Sequence, residues 1–358
     1  MTAHTGDVET AEAALADYGG RARAAMLDAL PDGSPGPWLY DLLRSYPSRP
    51  GKALRPTLFL ATCEAFGGSA ESAMGVAVAI ELLHNAFLVH DDIVDGSLQR
   101  RGSPTLHEDA GLGLALNAGD ALGALAQRQL RLSIDSLSGR VASQVLEEFE
   151  TMLMRTAEGQ ATELGWCRDG VQDVGPEDYL DLIMHKTCWY TTIHPLRVGA
   201  LIGAAVGVAD GADGTQPDLD AMIRFGFHLG AAFQIRDDIL NLTGDDRYGK
   251  EIGGDLLEGK RTLMLIHLWE HARGADRDLV QRFLTAERAT RSIEEARRVR
   301  ALMDRYGSID FATAYATGVA AEATTAFEIA FAPALARDPN PGADAVRSMI
   351  TYMHGRLS

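Results

Sequence analysis

The stretch Ile80–Arg101, IELLHNAFLVHDDIVDGSLQRR, restricts what this chain can fold into more than any other. It starts as an apolar helix and ends in three carboxylates, Asp91, Asp92 and Asp95, followed by Arg100 and Arg101. Residues three, four and seven apart share one face of a helix, so His84, Phe87, Asp91 and Asp95 fall roughly in line. Leu82, Leu83, Ala86, Leu88, Val89, Ile93 and Val94 surround them with apolar side chains, the mark of a helix buried on most sides. Buried carboxylates are costly without a partner, and several of like sign within one turn call for a cation. An exposed acidic helix end is the simpler alternative, but it leaves the apolar run before the acids unexplained.

The remainder of the chain has helical period almost throughout, and alternating β-branched runs between turn pairs are missing. Helices are expected over residues 8–30, 70–96, 107–133, 138–168, 177–192, 195–208, 217–243 and 308–331, among others, which makes the fold class all-α. No linker rich in Pro, Gly and Ser divides the sequence, so residues 1–358 read as one domain, with residues 1–8 loose. The balance of 33 basic against 50 acidic residues, net −17, argues against nucleic acid and against anionic lipid as partners. An acidic protein that handles an anionic substrate must reverse its own field locally, with metal ions and a few placed Lys and Arg side chains. Cys63, Cys167 and Cys188 are scattered, without metal spacing, and suit a reducing compartment. The acidic N-terminus reads as neither a secretory nor an organellar signal. Charges such as Glu81 interrupt the apolar runs, so no transmembrane segment is expected, and the expected location is the cytoplasm.

Four further stretches carry chemistry. In SRPGKALRP, residues 48–56, Lys52 and Arg55 lie three apart at a helix start, where free backbone N–H groups add to the field felt by a diphosphate. A solvated basic turn is the plain alternative. The segment HKTCWY, residues 185–190, sets Lys186 and Thr187 within an apolar helix, with Trp189 and Tyr190 read as core. In AFQIRDDILNL, residues 232–242, Gln234, Asp237 or Asp238, and Asn241 share one face. The Gly-rich segment that follows supplies Lys250, Asp255, Glu258 and Lys260. Two acid-bearing apolar helices, each followed by a cation-bearing loop, would bracket divalent ions and a diphosphate. Mg²⁺ suits this set, because it takes oxygen ligands and joins one or two carboxylates to phosphate oxygens.

These stretches, in this order, resemble the trans-isoprenyl diphosphate synthases, or polyprenyl synthetases. GKALRP at 51–56, HNAFLVHDDIVDGSLQRRGSPT at 84–105, EGQATEL at 158–164, Lys186-Thr187, and FQIRDDILN with GKEIGGDLLEGKRT at 233–262 carry the likeness over nearly the whole chain. The resemblance implies the isoprenoid synthase fold, a helical bundle around a deep central cavity, as a homodimer. It implies head-to-tail addition of isopentenyl diphosphate to an allylic diphosphate, with release of pyrophosphate. Asp91, Asp95 and Asp237 would hold Mg²⁺, three ions per site, with Asp92 and Asp238 in support. Arg100, Lys186, Lys250 and Lys260 would contact the allylic diphosphate. Lys52, Arg55, His84 and Arg101 would hold isopentenyl diphosphate, and Thr187 and Gln234 would line the reacting carbons.

The chain departs from the family pattern in three places. Asn241 stands where a third Asp is usual, Pro50 where a Gly is usual, and Cys188-Trp189-Tyr190 where smaller residues are common, so that Trp189 is expected to reshape the cavity. The floor under the growing prenyl chain is expected at Ala86, Phe87 and Leu83. The small Ala86 predicts a C20 product, geranylgeranyl diphosphate, ahead of the C15 farnesyl diphosphate. A class I terpene cyclase would share the metal chemistry but has no use for Lys52, Arg55, His84 and Arg101. A non-catalytic subunit of a heteromeric synthase would have no use for intact aspartate pairs.

Overall fold

The computed structural model describes residues 2–209, 216–244 and 253–355. The all-α expectation holds. Long helices at Ala70–Asp95, Leu112–Ile134, Gly139–Arg168, His194–Ala209, Leu219–Thr243 and Ser308–Ala330 make the frame, and shorter ones fill between them. The exception among the described residues is a hairpin in which Gln99–Arg100 pairs with Ser103–Pro104, so that Arg100 faces Ser103. Its two turn residues, Arg101 and Gly102, both have positive φ, 54° and 74°, as a tight two-residue turn of this hand requires.

The Ala70–Asp95 helix is the axis of the molecule. Ser69 caps its start by accepting the N–H of Ser72. Gly96, at φ 55°, takes the left-handed conformation that ends it. Between these signals the sequence is mostly apolar, and the fold uses both sides. One face, with Val76, Ala77 and Ile80, joins the main core. The other, with Val78, Leu82, Ala86 and Val89, meets Ala115, Ala118, Leu122 and Ala126 of Leu112–Ile134 in a second cluster. By length and hydropathy this helix could cross a membrane, but 72% of its most apolar window is buried inside the protein. The main core draws on residues from Ala11 to Met353. Its centre is an aromatic group, Phe225, Phe327 and Phe331, with ring centroids 4.5–5.8 Å apart. Each ring buried there contributes roughly 1.5–3 kcal/mol.

Several helix boundaries fall where the sequence places them, and three features differ. The first helix begins at Thr2, and the expected 8–30 helix is divided by a π-helical turn at Leu15–Gly19. The 107–133 helix is broken at Gly111, whose φ is 85°. The 195–208 helix begins at His194, close to where the sequence places it, but as a direct continuation of the turns before it. The chain runs from Pro176–Ile183 through a ten-residue π-helix, Met184–Ile193, into His194–Ala209. Wide turns of this kind are common at functional sites, and this one carries Lys186 and Thr187.

Candidate active site

The ends of Ala70–Asp95 and Leu219–Thr243 face one cavity of about 520 Å³. Asp91 and Asp237 both line it, as do Asp238, Asp255 and Glu163. Arg55, Arg100, Arg101, Lys186 and Lys260 bring positive charge to the same walls. Thr187, Gln234, His84 and Phe87 complete the predicted residues that reach it.

In each aspartate pair the second member is the more deeply buried. Asp92 is fully buried. It accepts from Arg100 Nε at 2.8 and 3.0 Å and from the Tyr46 hydroxyl at 2.5 Å. Asp92 therefore presents no oxygen to the cavity, contrary to its expected place among the metal residues. What it holds is Arg100, whose guanidinium lies 3.9 Å from Asp91. On the facing helix Asp238 accepts from Tyr179 Oη and from Gln234 Nε2, each at 2.7 Å. Burial first, and the nearby Asp255 second, push the Asp238 carboxyl up to about 8. Thr187 Oγ1 donates to Gln234 Oε1 at 3.0 Å. Tyr179, Asp238, Gln234 and Thr187 thus form one hydrogen-bonded chain that fixes the two uncharged side chains at the cavity wall.

The lysines are paired with acids. Lys186 Nζ meets Glu163 of Gly139–Arg168. Burial opposes its charge, but Glu163 and then Asp91 outweigh burial and raise its pKa. The two helices approach closely because residue 159 is Gly: a Cβ there would stand 2.3 Å from the Lys186 backbone N. Lys260 Nζ lies 3.2 Å from Asp95, 3.4 Å from Asp255 and 2.6 Å from Glu258. Asp95 is therefore buried behind a lysine rather than lining the cavity. Asn241 Oδ1 accepts the backbone N–H of Asp255 at 3.2 Å, and its carbonyl accepts that of Gly253 at 2.7 Å. Asn241 thus ties Gly253 and Asp255 to the end of Leu219–Thr243. Lys250 lies outside the described residues.

A second cavity of about 250 Å³ adjoins the first and shares Arg55, His84, Arg101 and Phe233 with it. Lys52 and Glu81 complete its charged lining. Arg55 is held by Thr191 Oγ1 at 2.8 Å and lies 3.3 Å from His84 Nε2. Burial, and then Arg55 and Arg101, hold the His84 imidazole well below its usual pKa, so it is neutral. Among the described residues, the two non-glycines with positive φ are Ala53 and Arg101, and both line this cavity. Backbone strain of that kind gathers at functional sites.

The expected floor residues are not equivalent. Phe87 lines the first cavity, while Ala86 is buried in the second cluster against Leu112–Ile134, and Leu83 packs between the two cores. At 3.6 residues per turn, four residues upstream of Asp91 is about 40° around the helix and five is about 140°, which turns Ala86 away. Trp189 is likewise buried in the main core, and Tyr190 lines the cavity in its place. Tyr46 and Tyr179, which hold the buried aspartates, carry no spacing signal in the sequence. Tyr46 lies 46 residues from its partner and Tyr179 lies 59.

The oxygen donors suit a hard divalent cation. Among the described residues no three acidic, His or Cys side chains cage an ion by themselves. Asp91 and Asp237 are the carboxylates that could hold such an ion at the cavity wall.

Comparison with known proteins agrees with this geometry. The family model described as polyprenyl synthetase matches residues 36–303. A geranylgeranyl diphosphate synthase of Sulfolobus acidocaldarius is 35% identical over 277 residues, 77% of this chain and 79% of that one. The crystal structure of geranylgeranyl pyrophosphate synthetase from Pyrococcus horikoshii Ot3 superposes with a TM-score of 0.79 at 30% identity, covering 97% of this chain and 98% of that one. The polyprenyl synthase of Caulobacter crescentus CB15, solved with calcium and isoprenyl diphosphate, gives 0.79 at 26% identity, with 98% and 97% covered. With two aspartate-bearing helices closing on one cavity and a cationic cavity beside it, this chain belongs to the polyprenyl synthetase family.

Proposed function

We propose that this chain condenses isopentenyl diphosphate head to tail with an allylic diphosphate and releases pyrophosphate, with geranylgeranyl diphosphate as the product and farnesyl diphosphate second. The observation that carries the reading is that Asp91 and Asp237, from helices far apart in sequence, line one cavity with Lys186, Lys260 and Arg100. A second cavity bearing Lys52, Arg55 and Arg101 opens directly beside it. Two diphosphates held side by side in this way remove much of the entropic barrier.

Up to three Mg²⁺ ions, held by Asp91 and Asp237 together with the substrate, would neutralise the charge that develops on the leaving pyrophosphate. Arg100, anchored by Asp92, and Lys186 and Lys260 add fixed positive charge to that oxygen cluster. Breaking the allylic C–O bond leaves a carbocation, and no strong base should stand beside it. Thr187 and Gln234 meet that need: both are uncharged, and the bonds from Tyr179 and Asp238 hold them still. Lys52, Arg55 and Arg101 orient isopentenyl diphosphate so that its double bond meets the cation, and the released pyrophosphate can accept the last proton. A terpene cyclase would leave the second cationic cavity without a use. A non-catalytic subunit would not need both aspartate pairs.

The same reading places 1–358 as one catalytic domain acting as a homodimer. Six of the eleven large apolar side chains exposed among the described residues lie on Leu112–Ile134 and Gly139–Arg168: Leu112, Leu116, Leu132, Leu146, Met154 and Leu164, which suits an interface there. The free thiols of Cys63, Cys167 and Cys188 suit the cytoplasm. The test is turnover of isopentenyl diphosphate with C5, C10 and C15 allylic primers, with products sized by mass spectrometry. Elongated diphosphates should form with Mg²⁺ and cease with a chelator. Hydrocarbon release from an allylic diphosphate alone would instead identify a cyclase.

A further inference from the structure

From the cavity's geometry we infer that Tyr190, braced against Phe87, is the side chain that limits product length, a role neither Ala86 nor Trp189 can fill. The inference rests on the prenyl-elongation reading above and names the residue that bounds that site. The diphosphate end of the cavity is set by Asp91 on one wall and Lys186 on the other. Phe87 stands one helical turn back from Asp91, and Tyr190 one turn on from Lys186. A turn spans about 5.4 Å, close to one isoprene unit. The two rings meet edge to face, with centroids 5.5 Å apart and planes at 84°, so the walls touch there.

Tyr190 is also held from its other side. The Arg55 guanidinium lies 4.2 Å from its ring centroid, and the His84 ring is 6.2 Å away. Arg55 is itself anchored on Thr191. A cation over one part of the ring and an aromatic edge at another fix it by quadrupole interactions. The ring is therefore fixed at the cavity wall between Arg55 on one side and Phe87 on the other, where it stands in the way of a lengthening chain. The π-helix accounts for its position: the wider turn carries Trp189 into the core and leaves Tyr190 on the Lys186 face.

The experiment compares Tyr190→Leu, Tyr190→Trp and Tyr190→Phe with the wild type, each checked for helical content, with products from a C10 primer sized by mass spectrometry. Tyr190→Leu should shift the main product up by at least one five-carbon unit. Tyr190→Trp should shift it down by one, and Tyr190→Phe, which keeps the ring, should leave it in place. If Tyr190→Leu does not fold, the downward shift in Tyr190→Trp carries the test. Folded, active Leu and Trp variants that both make the wild-type product overturn the inference while leaving the elongation reading intact. A wild type that incorporates no isopentenyl diphosphate overturns the reading itself, and the inference with it.

Discussion

At the end of Ala70–Asp95 the buried member of the aspartate pair, Asp92, meets a guanidinium and a phenol, Arg100 and Tyr46. At the matching place on Leu219–Thr243, Asp238 meets a phenol and an amide, Tyr179 and Gln234. One turn further, the first helix carries Asp95 against Lys260, and the second carries Asn241 against a backbone N–H. Both ends thus follow one plan, with the first aspartate at the cavity, the second buried under a tyrosine and the third tied to the Gly-rich loop. They differ in charge. The first end pairs its buried acids with cations, and the second satisfies its own with neutral groups. A repeated sequence pattern therefore hides two jobs: the first end fixes an arginine at the cavity wall, and the second fixes two uncharged side chains there.

The largest effect tests what the ends share. Asp91→Ala and Asp237→Ala should each lower kcat/KM by roughly 10²–10³-fold, the cost of removing one organised electrostatic group. Each should leave the denaturation midpoint nearly unchanged, because Asp91 and Asp237 line the cavity rather than the core. Steady-state kinetics and a urea titration decide it. A large loss at one position with near-normal turnover at the other would show that the two ends do not share the leaving group.

The next effect tests where they differ. Asp92→Asn leaves the buried Arg100 without its counter-charge, and breaking such a pair costs about 3–5 kcal/mol. Asp238→Asn replaces a carboxyl that burial has already pushed up to about 8. An amide there can still accept from Gln234 and donate to Tyr179, so stability should change by no more than about 1 kcal/mol. Urea midpoints measured without metal give both numbers. Equal losses at the two positions would remove the distinction between a charged and a neutral anchor.

Much of this plan was legible in the residues themselves. The apolar run into Asp91 and its echo before Asp237 show in local spacing, as do the Lys52–Arg55 turn and the Arg100–Arg101 pair, because helical period and charge are properties of neighbours. Tyr46 and Tyr179 were not, since each is joined to its aspartate by packing between distant helices. Nor was the π-helix, whose residues Met184–Ile193 read as ordinary helix while its widened turn exchanges Trp189 for Tyr190 at the cavity. Asp92 and Ala86 were misplaced for a related reason. Being near Asp91 in sequence is not the same as sharing its face, and two cores compete for this helix.

The smallest effect concerns Asn241, and its value lies in its sign. If position 241 were a weakened metal ligand, restoring the carboxylate with Asn241→Asp would raise turnover and lower the Mg²⁺ concentration needed for half-maximal rate. The observed contact points elsewhere: Oδ1 accepts the Asp255 N–H, and the Asn241 carbonyl accepts that of Gly253. Together these hold the start of the short Gly254–Glu258 helix, which carries Asp255 and Glu258 and precedes Lys260, against the end of Leu219–Thr243. A carboxylate can accept the same N–H, so the short helix should stay in place. It would also add an acid near Asp238, whose charge burial and then Asp255 already disfavour. Asn241→Asp should therefore keep kcat/KM within about two-fold of wild type, a change of less than ~0.5 kcal/mol, with no fall in the Mg²⁺ requirement. Asn241→Leu, which cannot hold the short helix, should raise KM for the allylic diphosphate through Lys260. A gain in rate for the Asp variant with no KM change for the Leu variant would make position 241 a ligand site and restore the third acid to the second helix end.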